Sequence, residues 1–392
     1  MISVEEALKL IQQQIHSFPE ECIDLNTALG RFLSRDITSS IAVPSFDNSA
    51  MDGYAIAFEP DRTNYSVAFE MAAGETQLKH LNKGEAARIY TGAPIPFGAD
   101  TVVQQEWVSN SELGISFDSN KVKLGMHIRR KGEQTQPGST VCSSGTEITP
   151  SLISLLSSIG CTKIWVHSLP KITLIITGNE LVEPGNELNF GQIFNSNGPA
   201  LKALLAKINI TKTRTFTAPD QANALSEIIA ESLENCDILL LTGGVSVGDY
   251  DFVNDCLSQN GVQKIFHKIA QKPGKPLWFG TTQSRQWVFG LPGNPAAVIT
   301  CFNQYVKPAI LIGMGKSDAF LSLGKLPLAH DFHKKSDLTF FMKGYYNLKE
   351  VELLPAQESF NLSSFKIANC IVKIDAHKTT LSAGEMVEIY PL

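Results

Sequence analysis

Residues 239–251 read "LLLTGGVSVGDYD". A run of leucines suited to the middle of a buried sheet stops in two glycines, and a serine, a third glycine and two aspartates follow. Near-continuous apolar strands belong to parallel sheets covered by helices on both faces, so this stretch predicts a central strand of an α/β domain. Its ending is unusual. Glycines let backbone N–H groups approach an anion, and carboxylates beside them suit a cation. The combination points to a place where something anionic and metal-bound is held. The plainer alternative is a tight turn, with Asp249 and Asp251 capping a helix over 251–259.

Outward from this stretch, strands and helices alternate. "KITLIIT" (171–177), "TKTRTFT" (211–217) and "CDILLLT" (236–242) read as strands, and 264–270 and 286–290 are strand-like. Helical patterns fill 198–208, 220–233 (capped by Asp220), 251–259 and a long segment at 294–311. Such alternation implies a mostly parallel sheet between helical layers, over roughly 170–316. Upstream, Ser3 and Glu6 have capping-box spacing, and Val4, Ala7, Leu8, Ile11 and Ile15 share one face of a helix over 3–16. Short β-like runs punctuated by Gly and Pro occupy about 46–140, a helix opens at Pro150, and β texture returns from 317. The expected layout is a discontinuous linking piece (1–45 and 141–169), a β-rich insertion (46–140), the α/β domain (170–316) and a C-terminal β domain (317–392).

Composition bounds the function. The 392 residues are 43% hydrophobic and 18% charged, the profile of a soluble chain with several domains. A net charge of −6 argues against general binding to nucleic acid or anionic membranes. The seven cysteines include no C-x-x-C pair, which fits reduced thiols and a cytoplasmic setting. "MISVEEALKL" lacks the pattern of a signal peptide, and no apolar run approaches the ~20 residues that span a bilayer.

In an open α/β sheet, ligands bind beyond the carboxyl ends of the strands. Three strands here end in unusual segments: "TGNELVEPG" (177–185), "TGGVSVGDYD" (242–251) and "GLPGNPAAV" (290–298). Pro295 suits the first turn of the next helix, whose amides would face an anion. "QKPGKP" (271–276) sets Lys272 and Lys275 around a Pro-Gly turn, a compact cationic clamp or else a solvated loop. In the insertion, "VPSFDNSAMDGYAI" (43–56) crowds Asp47, Asn48, Ser49 and Asp52 around two apolar residues, and "YTGAPIP" (90–96) frames Thr91. The loop is either a polar turn or one that presents Asp52 across a cleft, toward the sheet edge of another subunit.

Together, "PSFDNSAMDGYAI", "YTGAPIPFGAD", "TGNELVEPG", "LTGGVSVGDYD", "KPGKP" and "GLPGNPAAV" resemble, in order and setting, the molybdopterin molybdotransferases, the MoeA and gephyrin E-domain family. The likeness runs through "ESFNLSSFKIANCIV" (358–372) to "LSAGEMVEIYPL" (381–392). It implies an elongated subunit with a MogA-like α/β domain and a C-terminal β-barrel-like domain, and a homodimer whose active site lies between protomers. Molybdate would be inserted into adenylylated molybdopterin with Mg²⁺ assisting and AMP released, and other proteins of cofactor biosynthesis are possible partners.

The resemblance also implies roles. Glu180, Asp237 and Asp251 would form the acidic group, with Glu180 and Asp251 as metal ligands, and Asp52 would reach in from the neighbouring subunit beside Thr91. Gly243, Gly244 and Ser246 would cradle the pterin phosphate, with Asp249 nearby. Lys272 and Lys275 would hold molybdate, and Pro292, Asn294 and Pro295 would shape the floor. Asp237, just before the strand, has a plainer role as a cap or partner at the strand start. Three positions depart from the family: Asn179 and Gln134 replace carboxylates, and Lys343 stands where an arginine is usual near molybdate. These departures keep open a second function, a pterin-binding carrier or scaffold with weakened turnover.

Overall fold

The computed structural model describes residues 1–77, 79–244 and 252–392, without the side chain of Phe252. Its centre is a six-stranded sheet: β1 (Ile172–Thr177), β2 (Thr213–Ala218), β3 (Ile238–Thr242), β4 (Gln263–His267), β5 (Trp278–Thr281) and β6 (Trp287–Leu291), in spatial order β2-β1-β3-β6-β5-β4. The first three pairings in that order are parallel and the last two antiparallel. The parallel half is the part that the apolar strands announced. The segment 278–281, which carries no separate strand signal, folds back as β5 and makes the sheet mixed.

All residues of β1, β3 and β6 are buried, as strands with helices on both faces must be. Alternate residues face two cores. Leu174, Ile176, Leu240 and Phe289 enter one, and Ile175, Leu239, Leu241 and Val288 the other. The first core also takes Val4, Ala7 and Ile11 from the helix Val4–Gln14, whose N-terminus is capped by Ser3 Oγ accepting from the N–H of Glu6 at 3.1 Å. That helix therefore shares a core with residues of the α/β domain. Val4 and Leu8 lie beside Asn303, Gln304 and Pro308 of the segment 295–313, and the strand Glu20–Asp24 that follows pairs with Lys163–His167.

The segment 295–313 is one continuous helix with a π turn at Phe302–Val306. Pro308 cannot donate to the carbonyl of Gln304, and its ring would press on that group in a regular α turn. The wider turn relieves the clash. The helix Ala222–Glu234 begins without the expected Asp220 cap, because the Asp220 carboxylate is engaged elsewhere.

The insertion carries a second six-stranded sheet. The C-terminal region forms an open, half-barrel sheet whose edge strand is Gln271–Lys272, paired in parallel with Thr339–Tyr346. The lysine turn thus belongs covalently to the α/β domain and by hydrogen bonds to the C-terminal sheet.

Phe289 is fully buried, with its ring 4.7 Å from that of Phe279. Phe289→Ala is expected to cost about 3–5 kcal/mol, measured as a lowered urea midpoint for the transition followed by buried-tryptophan fluorescence.

Candidate active site

The carboxyl ends of β1, β3 and β6 open into a cleft of about 1090 Å³. Its lining includes Asn179, Glu180 and Asp220 on one lip, Gly243, Gly244, Pro292, Asn294 and Pro295 at the strand ends, and Lys272 and Lys275. Eight residues singled out from sequence (Glu180, Gly243, Gly244, Lys272, Lys275, Pro292, Asn294 and Pro295) therefore meet in one place.

The glycines at the end of β3 are conformationally required. Gly243 has φ +93°, and a Cβ there would overlap the Thr177 carbonyl. Gly244 has φ +64°, and its Cβ would lie 2.7 Å from Val253 Cγ2. Both the left-handed backbone and the close approach exclude a side chain. A buried amide then ties the strand ends together: Asn197 Nδ2 donates to Thr242 Oγ1 at 3.1 Å and to the Gly293 carbonyl at 2.8 Å. Thr242 Oγ1 donates in turn to the Pro292 carbonyl at 3.2 Å. Asn197 carried no motif, since an asparagine next to Gly and Pro reads as a turn residue.

The cationic turn is braced from below. Gln271 is fully buried, accepts from the Tyr305 hydroxyl, and donates through Nε2 to the Pro273 carbonyl at 2.9 Å. The same amide lies 3.6 Å from Cys301 Sγ, a fully buried thiol pushed up to about 12 by desolvation. Lys272 and Lys275 stay exposed on this support. The turn holds two ammonium groups at the cleft while its first two residues are fixed at the edge of the C-terminal sheet.

On the acidic lip, Asn179 and Asp220 form a reciprocal pair. The N–H of Asn179 donates to Asp220 Oδ2 and the N–H of Asp220 to Asn179 Oδ1, each at 3.1 Å. The neutral amide keeps the hydrogen bond that an aspartate at 179 would accept, without a second charge beside Asp220. Asp220 thus supplies a carboxylate to the cleft, where sequence reasoning had made it a helix cap.

Two expected residues fall elsewhere. Asp237 precedes β3, so it lies at the opposite end of the sheet, roughly 15–20 Å of strand from Gly243. Its Oδ2 accepts from the N–H of Lys171 at 2.7 Å, and its carbonyl from the N–H of Trp287 at 3.0 Å. The role at the strand start is the one observed. Lys343 is only 3% exposed and does not line the cleft. Its Nζ donates to the carbonyls of Ala356 and Asn361 (the latter at 2.9 Å) and lies 5.3 Å from the Phe365 ring. Desolvation lowers its pKa. It holds the loop that carries Ser359 and Phe360, both of which do line the cleft.

That loop also modifies the expected anion site at the helix N-terminus. The N–H of Ala296 donates to the Ser359 carbonyl at 3.0 Å, and Asn294 Nδ2 to Ser359 Oγ at 2.8 Å. Asn294 and the first free amide of the helix are thus used to dock the C-terminal domain. Asp52 and Thr91 sit on the insertion and do not line the cleft of their own chain. Thr91 donates to Asp52 Oδ1 through its N–H at 2.8 Å and its hydroxyl at 2.9 Å, lowering the Asp52 pKa. Gln134 is also outside the cleft, its N–H bonded to the Val43 carbonyl at 2.9 Å. Ser246, Asp249 and Asp251 lie outside the described residues.

Comparison with known proteins places this geometry. Residues 2–160 match the model of the MoeA N-terminal region (domain I and II), 173–311 a probable molybdopterin binding domain, and 325–392 the MoeA C-terminal region (domain IV). The molybdopterin molybdenumtransferase of Haemophilus influenzae is 34% identical over 100% of this chain and 98% of its own length. That of Staphylococcus epidermidis is 33% identical over 99% and 95%. The crystal structure of the molybdopterin biosynthesis moeA protein from Pyrococcus horikoshii OT3 superposes with a TM-score of 0.85 at 28% identity, covering 100% of both chains. The chain belongs to the MoeA family.

Lys343→Met removes a buried ammonium and leaves two carbonyls without their donor. The 356–361 loop is expected to lose about 1.5–3 kcal/mol of local stability, read as faster amide exchange there while the β1 and β3 amides are unchanged. The Asp52 pair gives a second expectation. Its carboxylate takes up a proton at lower pH than an ordinary aspartate, so any stability it contributes is present above the unfolded pKa of about 3.9 and lost as pH falls through the lower folded value. Thr91→Val removes the hydroxyl bond and moves the Asp52 midpoint upward in a carboxyl-carbon NMR titration.

Proposed function

We propose that this protein inserts molybdate into adenylylated molybdopterin and releases AMP, as a cytoplasmic homodimer assisted by Mg²⁺. The observation that carries the reading is the cleft itself, where a lysine pair on a braced turn lies in one cavity with two carboxylates and a glycine-built strand end. The substrate is polyanionic and molybdate brings two further negative charges, so cations must neutralise it while acids remain for a divalent ion. Full-length relatives carrying the name molybdopterin molybdenumtransferase favour the transferase over a carrier.

On this reading the residues divide the work. Lys272 and Lys275 hold the oxyanion. Gly243 and Gly244 let the backbone close on the pterin phosphate, and Ser246 and Asp249 would add to its binding. Pro292 and Pro295 form an inflexible floor. Glu180, exposed, and Asp220, half-buried, are oxygen donors at the cleft, a set that suits Mg²⁺, which takes one or two carboxylates and completes its shell with water and substrate phosphates. Asp251 would join them. Mg²⁺ held by these carboxylates would supply positive charge to the substrate phosphates. The partner protomer would bring Asp52, held ionised by Thr91, to the open side of the cleft.

Pure protein incubated with adenylylated molybdopterin, molybdate and Mg²⁺ is expected to release AMP, and Glu180→Ala to slow release by about 10²-fold or more. AMP release no greater than that of Glu180→Ala would refute the assignment. Because Asn179 already fills its hydrogen-bonding role, Asn179→Asp is expected to change the rate by less than about threefold, far short of a rescued tenfold step of 1.4 kcal/mol.

A further inference from the structure

The cleft contains a feature that charge neutralisation does not use. Phe360 is 68% exposed, yet the backbone on both sides of it is pinned. Ser359 before it is bonded to Asn294 and Ala296 of the α/β domain. The Asn361 carbonyl after it is held by the buried Lys343 ammonium, and the N–H of Asn361 donates to the Glu358 carbonyl at 3.1 Å. A large apolar side chain held in water by a fixed backbone forgoes the stabilisation of burial. Its support is rigid, so little ordering cost remains when something covers it. Phe194, 44% exposed, lines the same cleft from the α/β side, where its strand Ile193–Phe194 pairs in parallel with Leu181–Val182. The rest of the lining is mainly glycine, proline, amide and charge.

We propose that Phe360 is a stacking residue: its ring is the platform for a fused-ring heterocycle of the substrate, and it sets the preference of the cleft for ring-bearing phosphates over free oxyanions. The inference rests on the function proposed above, whose substrate carries two such heterocycles, a pterin and an adenine. Stacking on an aromatic face tolerates any planar ring, so the flat surface supplies affinity while the lysines and acids supply register. Lys343 acts through Phe360 as a positioning residue.

Equilibrium titration of the full-length protein with two ring-bearing probes, AMP and 6-hydroxymethylpterin, and two ring-free probes, molybdate and ribose 5-phosphate, tests this. Phe360→Ala is expected to raise Kd for at least one ring-bearing probe about tenfold and to leave the ring-free probes unchanged. The probe that responds identifies which ring stacks. Phe360→Leu keeps the apolar bulk without the π face and should lose as much as alanine, whereas Phe360→Trp should retain affinity and show quenched fluorescence on binding. Unchanged Kd for both ring-bearing probes in Phe360→Ala overturns the inference. So does equal weakening of all four, which would mean the loop has moved, or a shift to a smaller oligomer with ring affinities intact, which would make Phe360 a subunit contact. If the unaltered protein bound none of the four, the proposed function would fail first and the inference with it.

Discussion

The whole site depends on two residues that lie in the α/β stretch of the chain and pair with the C-terminal sheet. Gln271 and Lys272 pair with Thr339 and Phe340 at the edge of the C-terminal sheet, while the buried Gln271 side chain is anchored on Tyr305 of the long helix. Two like charges on one short turn repel each other and favour solvent. They stay over the cleft because the chain beneath them cannot relax away without breaking the sheet edge, the Gln271 amide bonds, or both. Hydrogen bonds to a fully buried side chain resist such breaking, since a freed polar group in that setting costs about 1–3 kcal/mol.

Around this anchor, neutral groups do most of the positioning. Asn197 fastens the ends of β3 and β6, Asn294 and Ser359 dock the C-terminal loop, and Asn179 pairs with Asp220. Charge is kept where a ligand can meet it, on Glu180, Asp220, Lys272 and Lys275. Lys343 and Lys334 are buried cations enclosed by carbonyls, and they serve loops without lining the cleft.

Much of this was legible in the sequence, for physical reasons that differ by element. The apolar runs of β1 and β3 announce themselves because both faces are buried, and the glycines after β3 because no other residue fits there. In the mixed half, 264–270 and 286–290 were legible as strands, but β5 was not, since four residues between a Pro-Gly turn and a loop carry too little periodicity to be read. Asp237 shows how direction decides: an aspartate before a parallel strand is separated from the cleft by the strand's whole length. Lys343 and Asp220 were misread because their partners are distant in sequence, 13 to 18 residues on for the lysine and 41 residues back for the aspartate. Single-residue chemistry cannot reveal whether a cation ends up under a loop or a carboxylate beside an amide.

Cys301, beneath the lysine turn, has one more bearing on the chemistry. Sulfur ligates soft metals as thiolate, and burial pushes this thiol up to about 12. A metal handed to a sulfur-bearing cargo in the chamber above would therefore meet no rival sulfur in the floor. That sulfur is fully buried against the Gln271 amide and the Gly274 carbonyl and is not presented to the cleft.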